Sequence, residues 1–114
     1  MIQRIQPGKR YSEAVIANGL VFLSGMVPEN TQEDATAQTA NVLAQIDALL
    51  AEVGISKSRI VDAIIYLADM ADYNAMNTAW DLWVEDGQAP ARATVEARLA
   101  NPEWKVEIKV TAAL

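Results

Sequence analysis

The chain has 114 residues, 52% of them hydrophobic, and a formal net charge of −6, which fits one domain spanning residues 1–114. With no cysteine and no histidine, disulfides, thiolate metal sites, cysteine nucleophiles and Ser-His-Asp triads are excluded, and any chemistry must use carboxylates, Arg, Lys, Tyr, hydroxyls, backbone groups and water. Scattered basic residues on an acidic chain oppose contact with phosphate backbones. No run approaches the roughly 20 apolar residues that cross a bilayer, and residues 1–7 lack an apolar leader segment, so a cytoplasmic protein with no membrane or nucleic-acid partner is expected.

In chain order, the dipeptide Asn18-Gly19 is a hairpin signal between strands at residues 13–17 and 20–25. Thr39, Val42, Leu43, Ile46, Leu49, Leu50 and Val53 then recur at three- and four-residue spacings. They predict a helix with Thr31 as N-cap, Glu33 and Asp34 in the first turn, and a stop at Gly54. Ile60–Leu67 is rich in β-branched residues and reads as a strand. A second helix carries Tyr73, Met76, Trp80, Trp83 and Val84 on one face and ends near Gly87, just before Pro90; its aromatic group reads as core. Residues 93–99 and 104–112 alternate cleanly around an Asn101-Pro102 turn, which predicts a second hairpin. The sum is an α+β sandwich, a mixed sheet with two helices on one face.

On the last two strands, Val95, Ala97, Leu99, Trp104, Val106, Ile108 and Val110 alternate with Thr94, Glu96, Arg98, Lys105, Glu107 and Lys109. The apolar set is expected beneath the helices. The strand at residues 60–67 is apolar on both sides, with Val61, Ala63, Ile65 and Leu67 opposed to Ile60, Ile64 and Tyr66. A strand of that kind needs cover on both faces. Two helices supply one cover, so a partner subunit is expected on the other.

Several segments carry a family resemblance. Residues 90–99, Pro-Ala-Arg-Ala-Thr-Val-Glu-Ala-Arg-Leu, followed by Val106-Glu107-Ile108, resemble the C-terminal signature of the Rid (YjgF/RidA) family. Leu23-Ser24-Gly25-Met26-Val27-Pro28 is similar to its SGxxP strand end. Residues 41–54 resemble its first helix, and Met76-Asn77-Thr78-Ala79-Trp80 its second. The likeness spans nearly the whole chain in order. The length, the Trp-rich second helix and Asn101-Pro102 are most similar to the short YoaB-like branch. The resemblance implies a chorismate-mutase-like fold and a homotrimer with a central sheet barrel, outer helices and three clefts between subunits.

It also implies roles for particular residues. Arg92, at a strand start after Pro90, matches the family arginine that grips a substrate carboxylate through its planar fork; without the resemblance it would read as a surface or salt-bridged arginine. Glu107, fifteen positions on, matches the cleft glutamate that orients or activates water, against a cross-strand salt bridge as the plain alternative. Lys109 stands where RidA itself has an acid. Tyr11 matches a cleft-wall tyrosine, though Lys9-Arg10 replaces the usual Gly-Pro before it; alternatively it packs the N-terminal segment. Ser24, Thr94 and Asn77 are candidate substrate contacts. The alternative for Ser24 is a hydrogen bond to the backbone, and for Asn77 a hydrogen bond across a subunit interface.

The activity implied by the resemblance is hydrolytic deamination of 2-imino and enamine acids, such as 2-aminoacrylate, to 2-keto acids and ammonia, with no metal or cofactor. A non-catalytic module binding small carboxylates would use the same arginine. An RNA-cleaving enzyme is disfavoured by the acidic charge and the missing histidines, and a chorismate-mutase-like isomerase shares fold alone.

Overall fold

A computed structural model describes residues 1–114. Asn18 and Gly19 both take positive φ, 52° and 75°, as a two-residue turn of matching twist requires. They fold β2 (Ser12–Ala17) back on β3 (Leu20–Leu23) with Ala17 opposite Leu20, so the predicted hairpin forms. An edge strand not anticipated from the sequence, β1 (Gln3–Pro7), pairs antiparallel with β2.

Helix α1 (Ala35–Glu52) buries Gln38, Val42, Leu43, Ile46, Leu49 and Leu50. Its N-cap is Asp34 rather than Thr31: the Asp34 carboxylate accepts from the amide of Ala37 at 2.9 Å. The C-terminus closes as expected at Gly54, whose φ of +85° is the left-handed geometry glycine supplies. There the amides of Gly54 and Ile55 donate to the carbonyls of Ala51 and Leu50, each at 3.0 Å. Helix α2 (Tyr73–Trp83) ends earlier than predicted, because Val84 already has extended backbone (φ −68°, ψ 138°). The indole N–H of Trp83 reaches the Asp47 carboxylate at 3.0 and 3.1 Å and ties α2 to α1.

The remaining strands are β4 (Ile60–Leu67), β5 (Ala91–Glu96) and β6 (Val106–Ala113), and the six run in the order β1-β2-β3-β6-β4-β5. The second hairpin does not form. β5 pairs parallel with β4, and β6 inserts between β3 and β4, antiparallel to both. Helix α2 carries the chain back to run parallel beside β4. β6, whose Val106, Ile108, Val110 and Ala112 are all buried, takes the sheet centre, where burial rewards it most.

The side-chain faces also differ from expectation. A register shift between Ile60 and Asp62 puts Ile60 inside with Ala63, Ile65 and Leu67 and leaves Val61 47% exposed; a bulge of this kind moves one residue to the other face. In β5 the faces are reversed outright. Arg92 and Thr94 stand beside Ala63 and Ile65 on the helix side, while Val95 stands beside Tyr66 on the open side and is 42% exposed. Register against β4 decides which set of an alternating strand points inward. The open face thus presents Val15, Phe22, Ile64, Tyr66, Ala93 and Val95. No helix of the chain is long and apolar enough to cross a membrane.

Gln38 ties this frame to the segment entering β6. It is fully buried, its amide nitrogen lies 3.1–3.2 Å from the carbonyls of Thr31, Glu33 and Glu103, and its oxygen accepts from the Lys105 amide at 2.8 Å. A buried amide whose groups are all engaged fixes the chain it touches, here the segment that leads into β6.

Candidate functional site

Arg92 enters from the start of β5 and lies beneath α2. Its Nη1 donates to Asn77 Oδ1 at 2.8 Å and its Nη2 to the Tyr73 hydroxyl at 3.3 Å, with Met76 Sδ 4.0 Å from Nη1. The guanidinium carbon sits 5.1 Å from the Trp80 ring centroid and 6.0 Å from that of Tyr73, within cation–π range. All these partners are neutral. They orient the fork without compensating its charge, unlike the salt bridge that a plain surface arginine would make. Asn77 thus uses its side-chain oxygen within its own chain, on Arg92. Trp80 is core, as its helical spacing suggested, but Tyr73 is 39% exposed and belongs to the surroundings of Arg92.

Thr94, two residues along β5, points to the same side. Its hydroxyl oxygen is buried and has no hydrogen-bond partner. Such a group is costly to leave unsatisfied.

Tyr11, Ser24 and Glu107 gather elsewhere, in a groove of about 540 Å3 that also includes Phe22, Trp104 and Lys109. Tyr11 is 63% exposed, so it walls this groove rather than packing the N-terminal segment; its carbonyl accepts from the Gly8 amide at 2.8 Å across the β1–β2 turn. The Ser24 amide donates to the Glu13 carbonyl at 2.9 Å. Its hydroxyl makes only a long contact to Met26 Sδ, 3.8 Å, and is not engaged with the backbone.

Glu107 projects from β6 over Gly25. A Cβ built on Gly25 would stand 2.1 Å from Glu107 Oε2 and 3.0 Å from its Cδ, so the carboxylate occupies the space where any other residue would carry a side chain. Burial pushes the Glu107 carboxyl above its usual value, an effect the Lys109 charge partly opposes. Lys109 donates to the Leu23 carbonyl at the groove's edge. No group of three or more acidic side chains converges as a metal site.

The six predicted residues thus form two groups, Arg92 with Asn77 and Thr94, and Glu107 with Tyr11 and Ser24. Strand β4 lies between β5 and β6, which sets the two strands roughly 10 Å apart, and Arg92 and Glu107 leave opposite faces of the sheet. One small molecule cannot touch both within one chain. Sequence reasoning missed Tyr73 and Trp80 as neighbours of Arg92, because helical spacing marks an apolar stripe without showing which residue the edge of that stripe will meet. The support that Gly25 gives Glu107 was likewise hidden, since only the β6 register brings them together.

Known proteins resemble the chain over the same extent. The family model described as Endoribonuclease L-PSP matches residues 1–114. A RutC family protein of Haemophilus ducreyi is 54% identical over 114 residues, covering 100% of this chain and 97% of that protein. The RutC family protein YoaB of Escherichia coli is 55% identical over 113 residues, covering 99% and 98%. The crystal structure of NMB1025, a member of the YjgF protein family from Neisseria meningitidis, superposes with a TM-score of 0.96 at 63% identity, covering 99% of this chain and 94% of that one.

Proposed function

The chain belongs to the endoribonuclease L-PSP family of YjgF, RutC and Rid proteins, and on that premise we propose that it hydrolyses reactive 2-imino and enamine acids, such as 2-aminoacrylate, to 2-keto acids and ammonia in clefts between the subunits of a homotrimer. The observation that carries this reading is the division of the polar groups. A carboxylate anchor with neutral supports sits on one side of the sheet, and a half-buried acid beside two free hydroxyls sits on the other. In this reading the apolar open face, with exposed Phe22 and Val95, lies in the contact between copies, and the edge strand β5 carries Arg92 of one copy to the Glu107 groove of the next.

In that cleft the Arg92 fork holds the substrate carboxylate through two parallel hydrogen bonds, with Thr94 on the same side of β5. An enamine first tautomerises to the imine. Glu107, with Tyr11 or Ser24, holds the water that attacks the imine carbon. One water proton passes to the nitrogen as the carbinolamine forms; the carbinolamine hydroxyl proton then follows by way of Glu107, the C–N bond breaks, and ammonia leaves as the carbonyl forms. Water plus imine gives keto acid plus ammonia, with no change of oxidation state and no cofactor. Imines hydrolyse in water unaided, so positioning supplies much of what is needed, and an acid that burial raises above its ordinary value suits the proton transfer.

Two observations weigh against RNA cleavage despite the family's description: the net charge of −6 and the absence of histidine. A binding module that senses small carboxylates would use the same Arg92, and turnover separates the two. Keto-acid release is measured from 2-imino acids generated in situ, comparing wild type with Arg92→Ala at matched oligomeric state. Turnover lost in the variant supports the deaminase; saturable binding without turnover across a range of imino acids replaces it with the module.

A further inference from the structure

The groove that holds Glu107 continues past it. A second hollow of about 370 Å3 shares Gly25, Glu107 and Lys109 with the first and extends toward Arg98 and Tyr66. Its charge runs against that of the chain. The protein as a whole is at −6, yet here two cations, Lys109 and Arg98, face one carboxylate. Lys109 uses one of three donors on the Leu23 carbonyl, which leaves two for a ligand.

An assembled cleft adds Arg92 of the neighbouring copy. Three cations against Glu107 leave an excess of two positive charges along an open groove. A substrate with one carboxylate meets one of them; a substrate with two meets both, and each matched charge adds attraction. We propose that this site selects 2-imino acids bearing a second, side-chain carboxylate, as formed from aspartate or glutamate, with Lys109 meeting the distal carboxylate and Arg98 beside it. This specificity rests on the deaminase reading of the same cleft.

Imino acids generated in situ from aspartate, glutamate, leucine and methionine provide the test, with kcat/KM compared as a ratio of acidic to neutral substrates at fixed pH. The ratio cancels any effect common to both classes, including changes at Glu107. In wild type it is expected to exceed about ten, the value of one matched charge contact, and Lys109→Met should lower it about ten-fold, with a smaller drop in Arg98→Gln. A wild-type ratio near one, or a ratio that neither variant moves, overturns the inference while leaving the deaminase intact. If no imino acid is turned over, the deaminase reading fails by itself, and calorimetric titration then decides the charge selection. Succinate binding tighter than butyrate in wild type but not in Lys109→Met supports it; equal binding, or none of either, overturns it.

Discussion

Gly25 offers the most direct probe of the Glu107 geometry. An alanine there would place its Cβ 2.1 Å from Glu107 Oε2, well inside van der Waals contact, so the carboxylate must move by more than about 1 Å to restore a normal separation near 3.5 Å. The displaced atom ends a flexible side chain, and Gly25 does not have positive φ, so the backbone tolerates alanine. Stability should therefore change by less than about 1 kcal/mol, and the reduced freedom of the unfolded chain favours the variant. Turnover is different: a misplacement of about 1 Å can cost about a hundred-fold in rate. Gly25→Ala is expected to lower kcat in the keto-acid assay by that order while urea midpoints stay close to wild type. Combined with Glu107→Gln it should cause little further loss, as groups acting through one atom are non-additive. Wild-type kcat in Gly25→Ala, or full additivity in the double variant, would refute the dependence of catalysis on where Gly25 lets Glu107 sit.

The geometry sets three other expected outcomes. Asn77→Ala removes a charge-assisted hydrogen bond worth about 1.5–3 kcal/mol from Arg92, so KM should rise at least ten-fold with kcat much less affected; unchanged KM in steady-state kinetics would show that Trp80 and Tyr73 orient the fork alone. For Glu107 the folded-state pKa lies above the unfolded one, so the native state binds its proton more tightly and loses stability as pH rises through that raised value. Glu107→Gln should then be more stable than wild type above it, with the gap closing as pH falls below the ordinary value of 4.5; a gap independent of pH in urea titrations would contradict the burial. Finally, Val95→Asp puts a charge on the open face without touching the core, and light scattering should report dissociation to monomers together with lost turnover, whereas an intact, active trimer would place the subunit contact elsewhere.

Much of the fold was written locally. Asn18-Gly19 makes its hairpin because those two residues accept positive φ wherever they occur, and Gly54 ends α1 for the same reason. The stripe from Thr39 to Leu50 is inside because its period matches the helix. The N-cap is Asp34 rather than Thr31 because residues 30–33 form a turn, with the Glu33 amide on the Asn30 carbonyl, and the helix begins only at Ala35, where the Asp34 carboxylate meets the Ala37 amide. The candidate residues themselves, Arg92, Glu107, Tyr11, Ser24, Thr94 and Asn77, were identified by likeness to a family; their spacing alone left each with a plain structural alternative.

Position relative to one another was a tertiary matter. Residues 93–99 and 104–112 look like a hairpin because nearby alternating strands usually pair, yet β6 buries more by lying between β3 and β4, and β5 follows α2 to the edge beside β4 instead. That exchange turns Arg92 and Thr94 toward the helix layer and Val95 toward the open face, the reverse of what alternation by itself implies, because alternation fixes that two sets of side chains oppose each other but not which set points inward. The sequence by itself determined the turns, the helix stripe and the residue types available for chemistry, all of which depend on near neighbours. The tertiary structure alone decided that Arg92 and Glu107 lie on opposite faces of one sheet, since that depends on strand order and register, which are set by burial summed over the whole core.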